Sequence, residues 1–189
     1  MPRLWNATIE AHRREVREAI LDSTAAMAAE RGPWSITMSQ VAEKVGIGRA
    51  TLYKYFPDVE SILIAWHEDR IDAHLKLLEQ ARDQARGPAD RLRAVLETYA
   101  GITHETRSRH HGDLSALLHG DGQVEHARHR LHALVKDLIA AGADAGVVRA
   151  DVTPGELATY CLHALSAAGH LPSKAAVRRL VTVTMTGLR

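Results

Sequence analysis

Between Lys44 and Pro57 the chain carries no acidic residue, while Lys44, Arg49 and Lys54 supply cations and Thr51, Tyr53 and Tyr55 supply hydroxyls. Of its three tryptophans, four tyrosines and one phenylalanine, three fall within positions 53–56. Cations and hydroxyl donors gathered in one short segment suit the phosphates of nucleic acid, and a guanidinium near them can read a base edge. An enzyme finds less to work with. The sole cysteine, Cys161, sits in an apolar helical stretch, and the sequence contains neither a glycine-rich phosphate loop nor a serine nucleophile turn. Histidine is abundant but lacks an orienting carboxylate, so the chain reads as a non-enzyme that calls for no cofactor.

The elements that must hold those residues are written around them. Segment 37–56, TMSQVAEKVGIGRATLYKYF, has the layout of a helix-turn-helix. Thr37 caps a short helix over 38–45 whose Val41, Ala42 and Val45 face inward. Gly46 permits a left-handed turn, Ile47 plugs the angle between the helices, and Gly48 caps a second helix over 49–55 with Leu52 toward the core. On this geometry Arg49, near the start of the second helix, is the candidate for base contact. Lys54 and Tyr55 become phosphate anchors, Tyr53 packs against a thymine methyl or reaches the backbone, and Phe56 anchors the module's core.

The remainder of the chain is helical by its periodicity. Val95, Leu96, Tyr99 and Ile102 recur at helix spacing, as do Leu131, Leu134, Val135 and Leu138. No segment alternates as a strand would. Glycine and proline punctuation, including Gly32-Pro33, Pro57-Asp58, Gly87-Pro88, Gly112-Asp113 and Thr153-Pro154, divides an all-α chain into about nine helices. The first runs over 8–31; the fourth starts from Asp58 and carries Ile62, Trp66, Ala73 and Leu77 on one face. This predicts a DNA-binding module over 1–56 and a larger helical bundle over 57–189.

With 189 residues, 46% of them hydrophobic, the chain can bury a core without staples. One cysteine excludes an intrachain disulfide and a cysteine zinc cage. No stretch approaches the about 20 apolar residues of a membrane span, and the N-terminal sequence lacks a secretory core, so a cytoplasmic location is expected. The net charge is only +1, and the first 60 residues balance eight basic against eight acidic side chains, so placement rather than bulk charge must attract DNA.

Three features together make the sequence identifiable: AERG at 29–32, VAEKVGIGRATLYKYFP at 41–57, and ILD at 20–22. The segment over about 13–64 resembles the DNA-binding domain of the tetracycline-repressor (TetR) family of bacterial transcriptional regulators. The resemblance implies that Thr37, Gln40, Arg49, Thr51, Tyr53, Lys54 and Tyr55 face DNA. It also shows departures. Gly48 stands where the family often has a serine, Val59 where it commonly has a phosphate-touching lysine, and Ala28 where it has an aromatic whose space Trp34 is placed to fill.

The resemblance further implies a second domain that binds a small ligand and forms a homodimer through its last two helices, about 154–170 and 173–187. Ala158, Cys161, Ala164, Ala167 and Ala168 allow close approach in the first, and Val177, Leu180, Val181, Thr184 and Leu188 form a stripe in the second. A homodimer through about 154–188 pairs the recognition helices for a pseudo-palindromic operator, about 34–36 Å apart. A small apolar or amphipathic ligand would shift the population toward a state that releases DNA, relieving repression. Trp66, Tyr99, His104, His163 and Met185 are the candidate ligand-binding residues of the bundle interior.

Two alternatives are testable against this expectation. Among twelve histidines, His126 and His129 stand three apart on one helical face with His132 a turn beyond, a spacing open to a metal-sensing regulator; Arg128 and Arg130 oppose a cation there. His110-His111-Gly112-Asp113 is a second such run, and both read as solvated imidazoles with no metal assigned. A ligand-independent nucleoid-type DNA-binding protein would instead call for a strongly basic module and no long bundle.

Overall fold

The computed structural model describes residues 3–109 and 122–189. Among these it contains eight α-helices, two short 3-10 turns and no strand. The helices are α1 (Arg3–Arg31), α2 (Met38–Val45), α3 (Arg49–Leu52), α4 (Val59–Gln84), α5 (Pro88–Arg109), α6 (Gly122–Asp144), α7 (Pro154–Ser166) and α8 (Lys174–Thr186). The 3-10 turns are η1 (Pro33–Ser35) and η2 (Ala167–His170). The Gly112-Asp113 break and the His110-His111 pair lie outside the described residues.

The chain divides into two compact units within α4, between Arg70 and Ile71. The sequence expectation set the boundary at Pro57. The first compact unit runs on past Pro57 because the first turns of α4 pack inward: Ile62 and Leu63 are fully buried in the core that also holds Ile20, Val41, Leu52 and Phe56. Trp66 packs against that same core and so belongs to the first unit, contrary to its expected place in a ligand-binding bundle. The inner stripe of α4 also differs from the expected one. Beyond Arg70 it consists of Ile71, Leu75 and Leu78, whereas Ala73 is exposed and Leu77 is 47% exposed.

In the first unit α1 packs on α2 and η1, and α2 on α3. Helix α1 begins at Arg3, earlier than expected, and stops where Gly32 takes φ 83° and returns its N–H to the Ala28 carbonyl at 2.9 Å. Trp34 does not fill space beside Ala28. Ala28 is buried by its neighbours, Pro33 takes the inward position of the turn, and Trp34 is 75% exposed.

In the second unit α5 packs against α6, α7, η2 and α8. Leu92, Val95, Leu96 and Ala100 recur at helical spacing and are wholly buried. Val135 and Ile139 of α6, Leu165 of α7 and Val181 of α8 close on them. A capping box starts α7, with Thr153 and Glu156 exchanging side-chain and backbone bonds and Pro154 in the first turn. Most of the residues expected at a dimer interface lie in this core: Ala158, Cys161, Ala168, Val177, Val181, Thr184 and Leu188 are buried within the unit. Tyr160 and His163 of α7 and Val183 of α8 stay outside, together with the charged Arg178 and Arg179 of α8.

Candidate nucleic-acid interface

The helix-turn-helix is built by local signals. Thr37 has extended backbone, its hydroxyl accepts the Gln40 N–H, and the Gln40 side-chain carbonyl accepts the Thr37 N–H at 2.9 Å. Such a box satisfies two end donors, and the Ncap side chain alone contributes about 1 kcal/mol. At the other end Gly46 turns to φ 78°, and its N–H and that of Ile47 close on the Ala42 carbonyl, each at 3.0 Å. Gly48 is extended and starts α3 without a side-chain cap.

Burial sorts α2 and α3 into two sides. Val41, Ala42, Leu52 and Phe56 go into the core, with Val45 and Ile47 packed against it. Fully burying a side chain the size of Leu52 is worth about 2–3 kcal/mol, which holds so short a helix as α3 in place. That helix ends at Leu52 rather than at 55; turns carry the chain on to Phe56, whose N–H still reaches the Leu52 carbonyl at 3.0 Å.

Lys44, Arg49, Thr51, Tyr53 and Lys54 are all exposed on this module. No acidic side chain interrupts them between Lys44 and Pro57. Two of the expected contact residues are differently employed. The ring of Tyr55 is half-buried against the core, and the Gln40 carbonyl oxygen is held by Thr37, which leaves its amide N–H groups as donors. Asp58 then caps α4, accepting from the Ser61 N–H at 2.7 Å and the Ser61 hydroxyl at 2.6 Å. These bonds hold its carboxyl below the ordinary range and keep an anion beside the positive end of the α4 dipole. Sequence reasoning did not find Arg17, which packs its guanidinium 5.8 Å from the Phe56 ring centre.

The expected ligand-binding residues do not converge. Trp66 lies in the first unit with the Arg70 guanidinium 5.8 Å from its ring centre. Tyr99 packs against the second core, where burial pushes its hydroxyl pKa up. His104 Nδ1 lies 3.1 Å from the Ala168 carbonyl, so the Nδ1–H tautomer donates there. His163 is exposed, its Nδ1 2.9 Å from the Thr159 carbonyl of its own helix, which corrects its interior placement. Met185 is buried and lines an open cleft of about 450 Å³ with Leu92, Val147, Val148 and Leu188. His104 lines a smaller cleft, about 170 Å³, with Glu97, Glu105, Lys174 and Arg178. Cys161 is wholly buried, and its thiol is pushed up to about 12 by that burial.

The histidine run of α6 is drawn into other contacts. His129 Nε2 stands 3.2 Å from Glu125, and His132 Nε2 3.1 Å from the Thr159 hydroxyl. Among the described residues no group of three or more His, Cys, Asp or Glu side chains is arranged to hold a metal ion. No helix among them is long and apolar enough to cross a membrane.

Known proteins match both units. The repressor KstR of Rhodococcus jostii is 34% identical over 86 residues, which cover 44% of this chain and 38% of that protein. The chain thus spans well under two thirds of the length of the curated relatives it matches. A TetR/AcrR-family regulator of Thermobifida fusca superposes over 92% of this chain and 98% of its own, with a TM-score of 0.76 and 18% identity. The regulator FadR of Bacillus subtilis, solved in complex with stearoyl-CoA, covers 91% of this chain and 99% of its own at a TM-score of 0.70 and 14% identity. At those identities the two structures speak for the fold. The model for bacterial regulatory proteins of the tetR family matches residues 20–65, from the second half of α1 through the helix-turn-helix to the first turns of α4. The model for the C-terminal domain of SbtR-like transcriptional regulators matches residues 91–189, more than half of the sequence. A capped helix-turn-helix followed by that all-helical domain places this chain in the tetR family of bacterial regulatory proteins, to which it belongs.

Proposed function

We propose that the chain is a ligand-responsive repressor that holds a pseudo-palindromic operator as a homodimer in the cytoplasm and releases it when a small apolar or amphipathic effector binds. Operator reading is assigned to the module ahead of Pro57, and effector binding and pairing to the residues after it. The observation that carries this reading is the exposed row of Arg49, Thr51, Tyr53 and Lys54 on a helix-turn-helix whose opposite side is sealed by Leu52 and Phe56. Arg49 stands where a guanidinium reaches base edges; Lys44 and Lys54 offer charge, and Thr37, Thr51, Tyr53 and Tyr55 hydroxyls, to phosphates, with the Gln40 amide N–H groups beside them.

Pairing uses the outward side of α7 and α8, where Tyr160, His163 and Val183 face solvent. The effector's class is argued from the apolar core around Tyr99 and Met185 and from the acyl thioester in the Bacillus subtilis neighbour. Such an effector relieves repression only by binding the DNA-incompetent state more tightly.

Selection from a random duplex pool, followed by fluorescence anisotropy against the selected duplex and scrambled competitor at several salt concentrations, tests the reading. A selected sequence bound at least about 1,000-fold more tightly than competitor is expected. Equal affinity for both overturns it.

A further inference from the structure

Among the described residues Trp34 is the most exposed of the large apolar side chains, at 75%. A tryptophan left in water on a loose loop would need no explanation, but this one is not on a loose loop. Pro33 before it is buried and fixed in φ, and Ile36 after it is buried. The hydroxyl of Ser35 donates to the carbonyls of Arg31 and Gly32, both at 2.9 Å. Gly32 makes the left-handed step that aims the turn. The backbone that carries the indole is therefore held from both sides, and the ring is presented rather than stowed.

Its position decides what it is presented to. Trp34 lies three residues before Thr37, the Ncap of α2, so the two Cα atoms are at most about 10 Å apart. Both residues point outward around buried Ile36. From Glu30 to Pro57 four cations, Arg31, Lys44, Arg49 and Lys54, stand against two acidic residues, Glu30 and Glu43, so the stretch that carries the indole has a positive balance that favours phosphates. An indole has a flat apolar face and one N–H donor, which match the deoxyribose and the phosphate oxygen of a DNA backbone.

We propose that Trp34 is a DNA-backbone anchor at the flank of the operator, its ring packed on a deoxyribose and its Nε1–H donating to a phosphate oxygen. This rests on the reading that the Thr37 and Arg49 side faces DNA. Being uncharged, Trp34 adds affinity without counterion release, which separates it from the lysines.

The test uses the full chain and the duplex recovered by selection with it. Trp34→Ala should weaken binding about tenfold while leaving the salt slope, the thermal midpoint and the preferred sequence unchanged; Trp34→Phe, which keeps the ring and loses the donor, should fall between. The Trp34 emission, taken as the difference between the wild-type chain and Trp34→Phe, should become shielded from acrylamide in the complex. Unchanged affinity in Trp34→Ala, or an indole as accessible in the complex as in the free chain, overturns the anchor while the repressor reading stands. If the wild-type chain selects no duplex, the repressor reading falls and the anchor with it.

Discussion

Arg17 and Asp69 stand 52 positions apart, yet the Arg17 guanidinium donates to the Asp69 carboxylate at 2.6 Å. The same guanidinium covers the Phe56 ring, so one side chain of α1 joins α4 to the last residue of the helix-turn-helix core. Both partners are 39% and 50% exposed, which screens the pair. Arg17→Ala should therefore cost only about 1 kcal/mol, more in low salt than in high. Urea unfolding of Arg17→Ala, Asp69→Ala and the double variant checks it. Additive losses would mean that the two groups are not coupled.

Two glycines separate conformational strain from crowding. Gly46 has φ 78° with open space where a Cβ would go, so Gly46→Ala should cost about 1 kcal/mol through backbone strain alone. Gly46→Asn, better tolerated in that region, should cost less. Gly142 is helical, but a Cβ there would stand 2.7 Å from a Val148 methyl on a stiff β-branched side chain. Gly142→Ala should lose about 1–3 kcal/mol, and less than that in a Val148→Ala background. Denaturant midpoints of the five variants decide both points.

Arg49 and Lys54 should fail differently. Arg49→Ala is expected to lose about 1–3 kcal/mol on the selected operator and to relax preference at one base position. Lys54→Ala should weaken all sequences alike and flatten the salt slope by about one. Anisotropy titrations on matched and mismatched duplexes distinguish them; identical, sequence-independent losses would remove the division of roles.

The caps set an acid limit on stability. Hydrogen bonds from Ser61 hold Asp58 below the ordinary carboxylate range, and those from Thr153 do the same for Glu156. A group whose folded pKa is depressed stabilises the fold above its unfolded pKa of about 4 and ceases to as pH falls through the folded value. Asp58→Asn keeps an acceptor at the cap but cannot titrate. Its unfolding midpoint should decline less steeply than that of the wild-type chain between about pH 5 and about pH 3.

The helix-turn-helix could be read in the sequence because its signals are short-range. Thr37, Gly46 and Gly48 each act within one turn of chain, and α2 begins and ends where they put it, although the part that Gln40 plays in the Thr37 cap was not read. Leu52 and Phe56 were placed inward by the same spacing. Burial decided by distant packing was not legible. Trp66 and Leu77 share a helical stripe with Ile62, yet the stripe does not say that α4 serves two cores or that Leu77 stays in water. His163 was expected in the bundle interior, but it lies on the outward side of a turn whose Cys161 and Leu165 are buried. Arg17 could not be found at all, since its partner lies 52 residues on and neither charge is distinctive in its own helix.

The sealed thiol of Cys161 leaves the folded chain without a reactive cysteine. Burial pushes the thiol up to about 12, so it stays protonated at neutral pH, and no reagent reaches it without opening the core. Thiol-directed reagents therefore leave Cys161 unchanged in the folded chain, and a cysteine engineered at an exposed position becomes its one reactive thiol for a spin label or a dye.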